Sequence, residues 1–233
     1  MERIDKIIAA QTEYSRKDVK KLILQKRVRV NNELISKSEE KVNENTDIIT
    51  IDGQTINIQQ FVYLILNKPK GYISATEDKT QQTVLDLIDE KYKHRQLFPA
   101  GRLDKDTTGM MIITDDGQFA HNILAPKKHI SKTYEVEIDI PVTQEMKKGF
   151  ENGVKLNDGI CKTANLEVTG EYTAIVVLTE GRYHQIKRMF GCFGAKVVNL
   201  NRIAMGGLKL PSDLNFGESR ELSKQEIELL QTK

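Results

Sequence analysis

FPAGRLDKDTTGMMIITDDG, residues 98–117, joins a polar loop to a continuous apolar run. The run from Met110 to Ile113 indicates a buried strand, which the turn Asp115-Asp116-Gly117 brings to an end. Asp104 lies in the loop just before this strand, and a carboxylate held rigidly at the mouth of a sheet can serve as a nucleophile or a base. Because an aspartate near glycine is usually part of turn chemistry, this interpretation depends on other motifs in the chain.

Those other motifs are present. Gly101-Arg-Leu-Asp104, followed by TTG at 107–109 and TDDG at 114–117, resembles the catalytic motif of the pseudouridine synthases, specifically their RsuA-like branch. Four more segments resemble motifs of the same family, in the same order: NKPKG at 67–71, KTY at 132–134, GRYHQIKR at 181–188 and NLNRIAMGGL at 199–208. The resemblance implies an enzyme that detaches uracil from C1′ of a uridine in RNA, rotates it and rejoins it through C5. The reaction has no redox or group-transfer step, so the resemblance implies no cofactor and no metal.

The resemblance also implies roles for individual residues. Asp104 is the expected nucleophile or base, although the sequence leaves open which atom it attacks. The target base must be extruded from the RNA stack, and Tyr134 is expected to hold it, since an aromatic face restores about 1–3 kcal/mol of lost stacking. Lys187 is expected to pair with Asp104 and keep it ionised, with Arg188 as the alternative. Arg102 is expected to fill or stabilise the vacated space.

Residues 1–58 predict a separate small module. Apolar residues at 4, 7 and 8 indicate one short helix, and Ser15 with Asp18 three positions later forms a capping pattern that starts a second. The period then changes to two at 28–30 and 47–51, which predicts a small β-layer. We expect a short flexible linker around residues 57–61 and a second, catalytic domain over residues 61–233.

The charge of this module points to RNA. The whole chain has a net charge of only +2, but residues 14–31 contain seven basic residues and one acidic residue. Their order resembles the S4 domain, an RNA-binding module that recognises structured RNA mostly by shape. A rigid array of cations gives salt-dependent affinity for phosphates without sequence reading. The predicted RNA contacts are Arg16, Lys17, Lys20, Lys21, Lys26, Arg27 and Arg29 here, with Arg102, Arg182 and Arg188 in the larger domain.

The predicted fold class is α+β: the S4-type module, then a domain with a mixed, mostly antiparallel sheet flanked by helices. Its expected strands include residues 62–66, 131–138, 176–179 and 199–208, and a turn is expected at 67–71. Helices are expected at 118–124, in the second part of 180–190 and at 223–230. Tyr134 shares one face of its strand with residues 136 and 138.

Composition excludes several classes of protein. Apolar content of 39% with 29% charged residues is typical of a folded domain rather than a disordered chain. No apolar run is long enough to span a membrane, and the N-terminus lacks the apolar core of a signal peptide, so we expect a cytoplasmic protein. The two cysteines, Cys161 and Cys192, are expected to be free and partly buried, and the four histidines form no zinc pattern.

The substrate is expected to be 16S ribosomal RNA, at the uridine known as position 516. DTTG at 106–109, TDDGQ at 114–118 and His121 look more like the small-subunit enzymes than like their large-subunit relatives. We expect a monomer that acts within a small-subunit assembly particle. The alternatives are a 23S ribosomal RNA synthase of the same family, a non-catalytic S4-type assembly factor, and a glycosidase using Asp104 and Asp106. The glycosidase is the weakest of these, since the chain has no tryptophan for a sugar-binding surface.

Overall fold

The computed structural model describes residues 1–232, which form two compact units. The first unit contains Met1–Val62 and the separate segment Asp89–Leu97, and the second contains Tyr63–Ile88 and the chain from Phe98 onward. The division into residues 1–58 and 61–233 stays a prediction, and the structure adds one detail that local patterns do not contain. A short segment beyond residue 61 packs with the N-terminal unit.

The first unit has two helices and two small antiparallel sheets with the strand orders β3-β2-β5-β6 and β1-β4. The side-chain oxygen of Ser15 accepts a hydrogen bond from the backbone N–H of Asp18 at 3.3 Å, so the predicted cap is present. Apolar residues of both helices and of the strands form one core. The elements are β1 (Glu2–Arg3), α1 (Ile4–Gln11), α2 (Arg16–Leu24), β2 (Val28–Val30), β3 (Glu33–Leu34), β4 (Lys41–Val42), β5 (Ile49–Ile51) and β6 (Gln54–Thr55), with a 3-10 helix at Glu90–Tyr92.

The segment predicted to be a flexible linker is hydrogen-bonded within the first unit. The side chain of Gln11 donates to the carbonyl oxygen of Gln59 at 3.1 Å and accepts from its N–H at 3.0 Å. The guanidinium of Arg95 donates to the carbonyl oxygens of Gln59 and Gln60, both at 3.0 Å. These long-range contacts explain how Asp89–Leu97 joins this unit.

The second unit is built on one large sheet with the strand order β13-β14-β10-β15-β9-β7-β17. β8 also pairs with β9, and β16 with β15. The predicted α+β class with a mixed, mostly antiparallel sheet is confirmed. The strands are β7 (Tyr63–Lys68), β8 (Phe98–Pro99), β9 (Thr108–Thr114), β10 (Lys132–Ile138), β11 (Lys155–Leu156), β12 (Gly159–Ile160), β13 (Asn165–Val168), β14 (Thr173–Leu178), β15 (Val197–Met205), β16 (Leu208–Lys209) and β17 (Ser219–Glu221). The helices are α3 (Gly117–Leu124), α4 (Gln144–Asn152), α5 (Gln185–Gly191) and α6 (Lys224–Leu230), with 3-10 helices at Val84–Leu87 and Pro126–Lys128.

Strand β7 continues two residues further than predicted. The sequence pattern ended the strand before Asn67, but Asn67 and Lys68 pair with Met110 and Gly109 of β9, so the turn begins only at Pro69. The prediction was wrong because both residues are polar, and a polar residue normally marks the end of a buried run. Here both side chains are buried and hydrogen-bonded, Asn67 to the carbonyl oxygen of Leu214 and Lys68 to several carbonyl oxygens.

Gly109 permits the parallel pairing of β9 with β15. Its φ is +100°, and a Cβ atom at this position would lie 2.3 Å from the carbonyl oxygen of Arg202. Only glycine allows both the positive φ and this close approach of two backbones. Because Arg202 is registered with Gly109, the pairing fixes where β15 lies relative to the Asp104 loop.

Other sequence expectations have mixed outcomes. Ser223 caps α6 through a capping box, whereas no sequence pattern predicted α4 or the β11–β12 hairpin. Both cysteines are free, but only Cys161 is buried and Cys192 is exposed.

None of the helices within residues 1–232 combines the length and the apolar character that crossing a lipid bilayer requires.

Candidate active site

A buried lysine donates hydrogen bonds to the backbone of the loop that carries Asp104. The ammonium of Lys68, at the end of β7, donates to the backbone carbonyl oxygens of Asp104 at 3.1 Å, Lys105 at 3.3 Å and Thr107 at 2.8 Å. Ser74 supports the other side, because its hydroxyl donates to the carbonyl oxygen of Leu103 and accepts from the N–H of the same residue. The backbone around Asp104 is therefore fixed before any substrate binds.

Lys68 has an unusual environment for a lysine, since none of its surface is exposed. Burial lowers the pKa of Lys68 to about 8, although the carboxylates of Asp106 and Asp104 oppose this shift. Its hydrogen bonds to carbonyl oxygens supply the partners that a buried ammonium requires. Lys68 acts on Asp104 through the backbone of the loop and does not approach its carboxylate as an ion-pair partner.

The carboxylate of Asp104 contacts two side chains from the start of α5. Lys187 Nζ lies 3.0 Å from Oδ2, and His184 Nε2 lies 3.4 Å from Oδ1. His184 immediately precedes α5 with φ = +47°, in the left-handed region that few non-glycine residues adopt. Its imidazole stacks on the ring of Tyr183 at a centroid distance of 3.8 Å.

Lys187 is shared between two carboxylates. Its ammonium also lies 2.6 Å from Asp106 Oδ1, and the Asp106 side chain is 69% exposed whereas that of Asp104 is 26% exposed. Burial lowers the pKa of Lys187, but the hydrogen bonds to Asp106 and Asp104 outweigh it, so the net shift is upward. The hydrogen bond from Lys187 holds the pKa of Asp106 below its usual range. Lys187 is thus held as a cation beside Asp104.

Asp104 faces a cleft of about 560 Å³, large enough for an extruded nucleotide. Tyr134 lines this cleft from the middle of β10 and is 9% exposed. Lys132 lies two residues earlier on the same strand, and Arg202 is registered opposite Tyr134 on β15. All three side chains line the cleft, so its floor combines one aromatic ring with two cations.

The arginines predicted to contact RNA in this unit lie in two kinds of place. Arg102 lines the cleft and is exposed. Arg182 also lines the cleft, but its guanidinium donates to the carbonyl oxygens of Gly159 at 3.2 Å and Ile160 at 2.6 Å. Arg188 donates to Asp158 at 3.2 Å and to the carbonyl oxygen of Tyr183 at 3.0 Å. Arg182 and Arg188 therefore hold the β11–β12 hairpin against α5, and Lys187 is the residue that lies beside Asp104.

The predicted contacts of the first unit also divide into two groups. Arg16 pairs at 3.0 Å with the buried carboxylate of Asp5, and Arg27 donates to Asp52 at 2.8 Å. Arg29 donates to the carbonyl oxygen of Asn32 at 2.8 Å, and Lys21 lies 3.3 Å from Asp18. The remaining three are exposed and have no ion-pair partner among residues 1–232: Lys17, Lys20 and Lys26.

Four residues of this site were not predicted from sequence: Lys68, Lys132, His184 and Arg202. Each lies inside one of the motifs quoted above. The motifs of Lys132 and His184 contain other residues that are predicted to belong to the site, whereas those of Lys68 and Arg202 contain none. The alternation of β10 places Lys132 on the face of Tyr134, which is a signal that was available. Nothing local indicates the burial of Lys68 or of Arg202. Within residues 1–232, no group of three or more His, Cys, Asp and Glu side chains could hold a metal ion.

Comparison with known proteins gives consistent results. Residues 62–191 match the family model for RNA pseudouridylate synthase, and residues 2–48 match that for the S4 domain. Ribosomal small subunit pseudouridine synthase A of Escherichia coli is 40% identical over 228 residues, which cover 97% of this chain and 98% of the relative. An RNA pseudouridine synthase of Bacillus subtilis, described as uncharacterized, is 40% identical over 233 residues and 98% of both chains. A crystal structure of a pseudouridylate synthase has a TM-score of 0.70 and 36% identity, covering 99% of this chain and 100% of that one.

Proposed function

This chain belongs to the RNA pseudouridylate synthase family and carries an N-terminal S4 domain, and on that premise we propose that it isomerises one uridine of 16S ribosomal RNA. The uridine is the one at position 516. One observation carries the chemistry: Asp104 lies in a cleft between Lys187 and His184, above a floor that contains Tyr134.

The proposed mechanism uses Asp104 as the nucleophile or base. Lys68 and Ser74 fix its backbone, so that the carboxylate has one position relative to the cleft. Lys187 pairs with the carboxylate of Asp104 and supplies a positive charge 3.0 Å from it. Tyr134 holds the extruded base, and Arg102 occupies the space that the base leaves in the RNA.

The choice of 16S ribosomal RNA rests on the relatives. The Escherichia coli protein at 40% identity is named as a small-subunit enzyme, and the match covers nearly all of both chains. The S4 domain, with its exposed lysines, supplies affinity for folded ribosomal RNA within a small-subunit assembly particle. We propose that the protein acts in the cytoplasm. We also propose that it acts as a monomer, since one chain supplies every group that the mechanism uses.

The other readings are less well supported. Family membership makes this chain an isomerase, which removes the non-catalytic assembly factor and the glycosidase. A 23S ribosomal RNA target remains the alternative substrate, because the catalytic cleft described above serves either RNA.

The decisive experiment measures tritium release from 5-tritiated uridine in 16S and 23S transcripts and in subunit particles. We expect release from 16S RNA with the wild type, and a rate at least about 10³-fold lower with Asp104→Asn, which keeps the shape of the side chain but removes its charge. RNA affinity should stay within about threefold, since Asp104 is one group in a large interface. Asp213→Asn, an exposed aspartate outside the cleft, is the matched control.

Each outcome has a distinct meaning. Release only from 23S RNA would show that 23S RNA is the substrate and would leave the proposed mechanism unchanged. Release that persists in Asp104→Asn would remove Asp104 from the chemistry. Mapping the product by carbodiimide modification and primer extension tests position 516 directly.

A further inference from the structure

The floor of the catalytic cleft contains two cations that are neighbours of Tyr134. Lys132 and Tyr134 are two residues apart on β10 and so point to the same face, and Arg202 is registered opposite Tyr134 on β15. Directly opposed residues in a sheet have Cβ atoms about 4.5–5.5 Å apart. The aromatic side chain proposed to hold the base therefore has a positive group across from it and another next to it.

Arg202 has an unused donor. The residue is 2% exposed, and its Nε donates to the carbonyl oxygen of Met110 at 2.7 Å. Its Nη2 is buried and has no hydrogen-bond partner among residues 1–232. Leaving a buried charged donor without a partner is unfavourable, so such a group requires an acceptor, which can be a ligand, a water molecule or an ion. Arg202 lines the cleft, which makes a ligand there the natural acceptor.

Lys132 has spare donors as well. It is 9% exposed, and its ammonium donates to the carbonyl oxygen of Ile130 at 3.1 Å. Burial, with a further contribution from the charge of Arg202, lowers the pKa of Lys132 to about 8. Within residues 1–232, neither Lys132 nor Arg202 has a carboxylate at ion-pair distance. Asp104 and Asp106 both pair with Lys187 instead. The floor is thus electropositive and suited to an electron-rich oxygen.

We propose that Arg202 and Lys132 donate hydrogen bonds to the carbonyl oxygens of the extruded uracil and stabilise the negative charge that this base carries while it is detached. This inference rests on the proposed function. When the C1′–N1 bond breaks, its electron pair leaves with the base and is delocalised onto O2 and O4. The pair later forms the C1′–C5 bond, C5 loses its proton, and N1 gains one. The charge thus exists only in the middle of the reaction, which is where a preorganised donor increases the rate.

A base oxygen fits this floor better than a phosphate. The two cations are buried beside the ring that would stack on the base, whereas Arg102, the cation expected to meet the RNA backbone, is exposed.

The test replaces the target uridine by 2-thiouridine or 4-thiouridine, since sulfur is a weaker acceptor than oxygen. Single-turnover conversion is followed by chromatography of the digested nucleosides. With the wild type we expect a loss of about tenfold on the thio substrate whose oxygen is contacted. Lys132→Met and Arg202→Met should each lose at least about tenfold on uridine, with little further loss on that thio substrate, because the contact is already absent. Lys132→Arg, which keeps the charge, should recover part of the rate.

Controls separate this role from a structural one. Lys148→Met, at an exposed lysine of α4, should keep both the wild-type rate and the wild-type sensitivity to sulfur. If Arg202→Met does not fold, as judged by thermal unfolding, Lys132→Met carries the test alone. Equal losses of the variants on uridine and on both thio substrates would overturn the proposal. So would losses that disappear only with a methylphosphonate at the target phosphate, since the cations would then bind phosphate. A wild type that converts no RNA would instead refute the proposed function, and this inference with it.

Discussion

The two units of this protein use basic residues in opposite ways. In the first unit, Lys17, Lys20 and Lys26 are exposed, whereas in the second unit Lys68, Lys132 and Arg202 are buried. An exposed cation gains affinity for a phosphate by releasing counterions, and this works for RNA of any sequence. A buried cation has lost its water and must find defined acceptors, so it positions one particular group. We therefore expect the burial of a basic residue, rather than its type, to decide whether it contributes general affinity for RNA or positions a group in the cleft.

The buried cations also differ from one another. Four carbonyl oxygens lie within hydrogen-bond distance of the Lys68 ammonium, which has three N–H donors, so the fold supplies all the partners that it needs. Arg202 retains a buried donor without a partner among residues 1–232. Lys68 therefore supports the Asp104 loop, whereas Arg202 is available to a ligand.

Among these basic residues, the largest expected effect comes from removing Lys68, which supports the Asp104 loop. Lys68→Met keeps the volume but leaves the carbonyl oxygens of the Asp104 loop without a donor, so we expect a loss of about 2–4 kcal/mol in the free energy of unfolding. The isomerisation rate should fall at least about 10²-fold, since small displacements of a reacting group have effects of this size. Urea unfolding and single-turnover kinetics measure the two effects.

Lys70→Met is the matched control, because Lys70 is two residues further along the chain and exposed. Its free energy of unfolding should stay within about 0.5 kcal/mol of the wild type. A Lys68→Met variant with wild-type stability and rate would show that the loop does not depend on this lysine.

A smaller and different effect is expected from the exposed cations. Changing Lys17, Lys20 and Lys26 together to Ala should weaken RNA binding about tenfold at low salt and reduce the slope of log K against log salt by roughly 2–3. The single-turnover rate at saturating RNA should stay within about threefold. The same triple change at Lys148, Lys209 and Lys224, which are exposed in the second unit, is the control. If both triple variants lose affinity equally, the first unit is not the main source of electrostatic affinity.

The smallest expected effect is a pH dependence of stability to which the buried lysines contribute. The pKa of Lys132 is about 8 in the folded protein and 10.5 when the side chain is in water. Between these values the unfolded chain binds more protons, so the free energy of unfolding should rise with pH from about 8 to about 10.5, by an amount on the order of 1–3 kcal/mol. Lys68, whose pKa is also about 8, contributes with the same sign. Urea unfolding over this range, with Lys132→Met showing a shallower rise, measures the effect, and parallel curves for the two proteins would contradict it.

Local patterns were sufficient for a large part of this protein. The Ser15 cap, the apolar alternation of β10 and the run in β9 each depend on a few neighbouring residues, and the structure has all three elements. The S4 and synthase motifs likewise lie in contiguous segments, and the family models match those segments. For the same reason the sequence singled out Asp104, Tyr134 and Lys187 as a set before any distance was known.

Other features depend on partners that are far away in the sequence. Arg188 lies next to Lys187, but its side chain reaches Asp158, thirty residues earlier, and no local pattern distinguishes these two basic neighbours. Asn67 and Lys68 looked like the end of a strand, yet pairing with β9 and burial under the Asp104 loop keep them inside it.

By itself, then, the sequence determined the family, the α+β class and the motif residues, because these are carried by short-range order along the chain. Only the tertiary structure decided which cations are buried and that His184 joins Lys187 at Asp104. It also decided that Arg202 faces Tyr134 with a donor that has no partner among residues 1–232. The physical reason is that the desolvation of a charge and the identity of its acceptor depend on strands and loops brought together from distant positions, here β7, β9, β10 and β15.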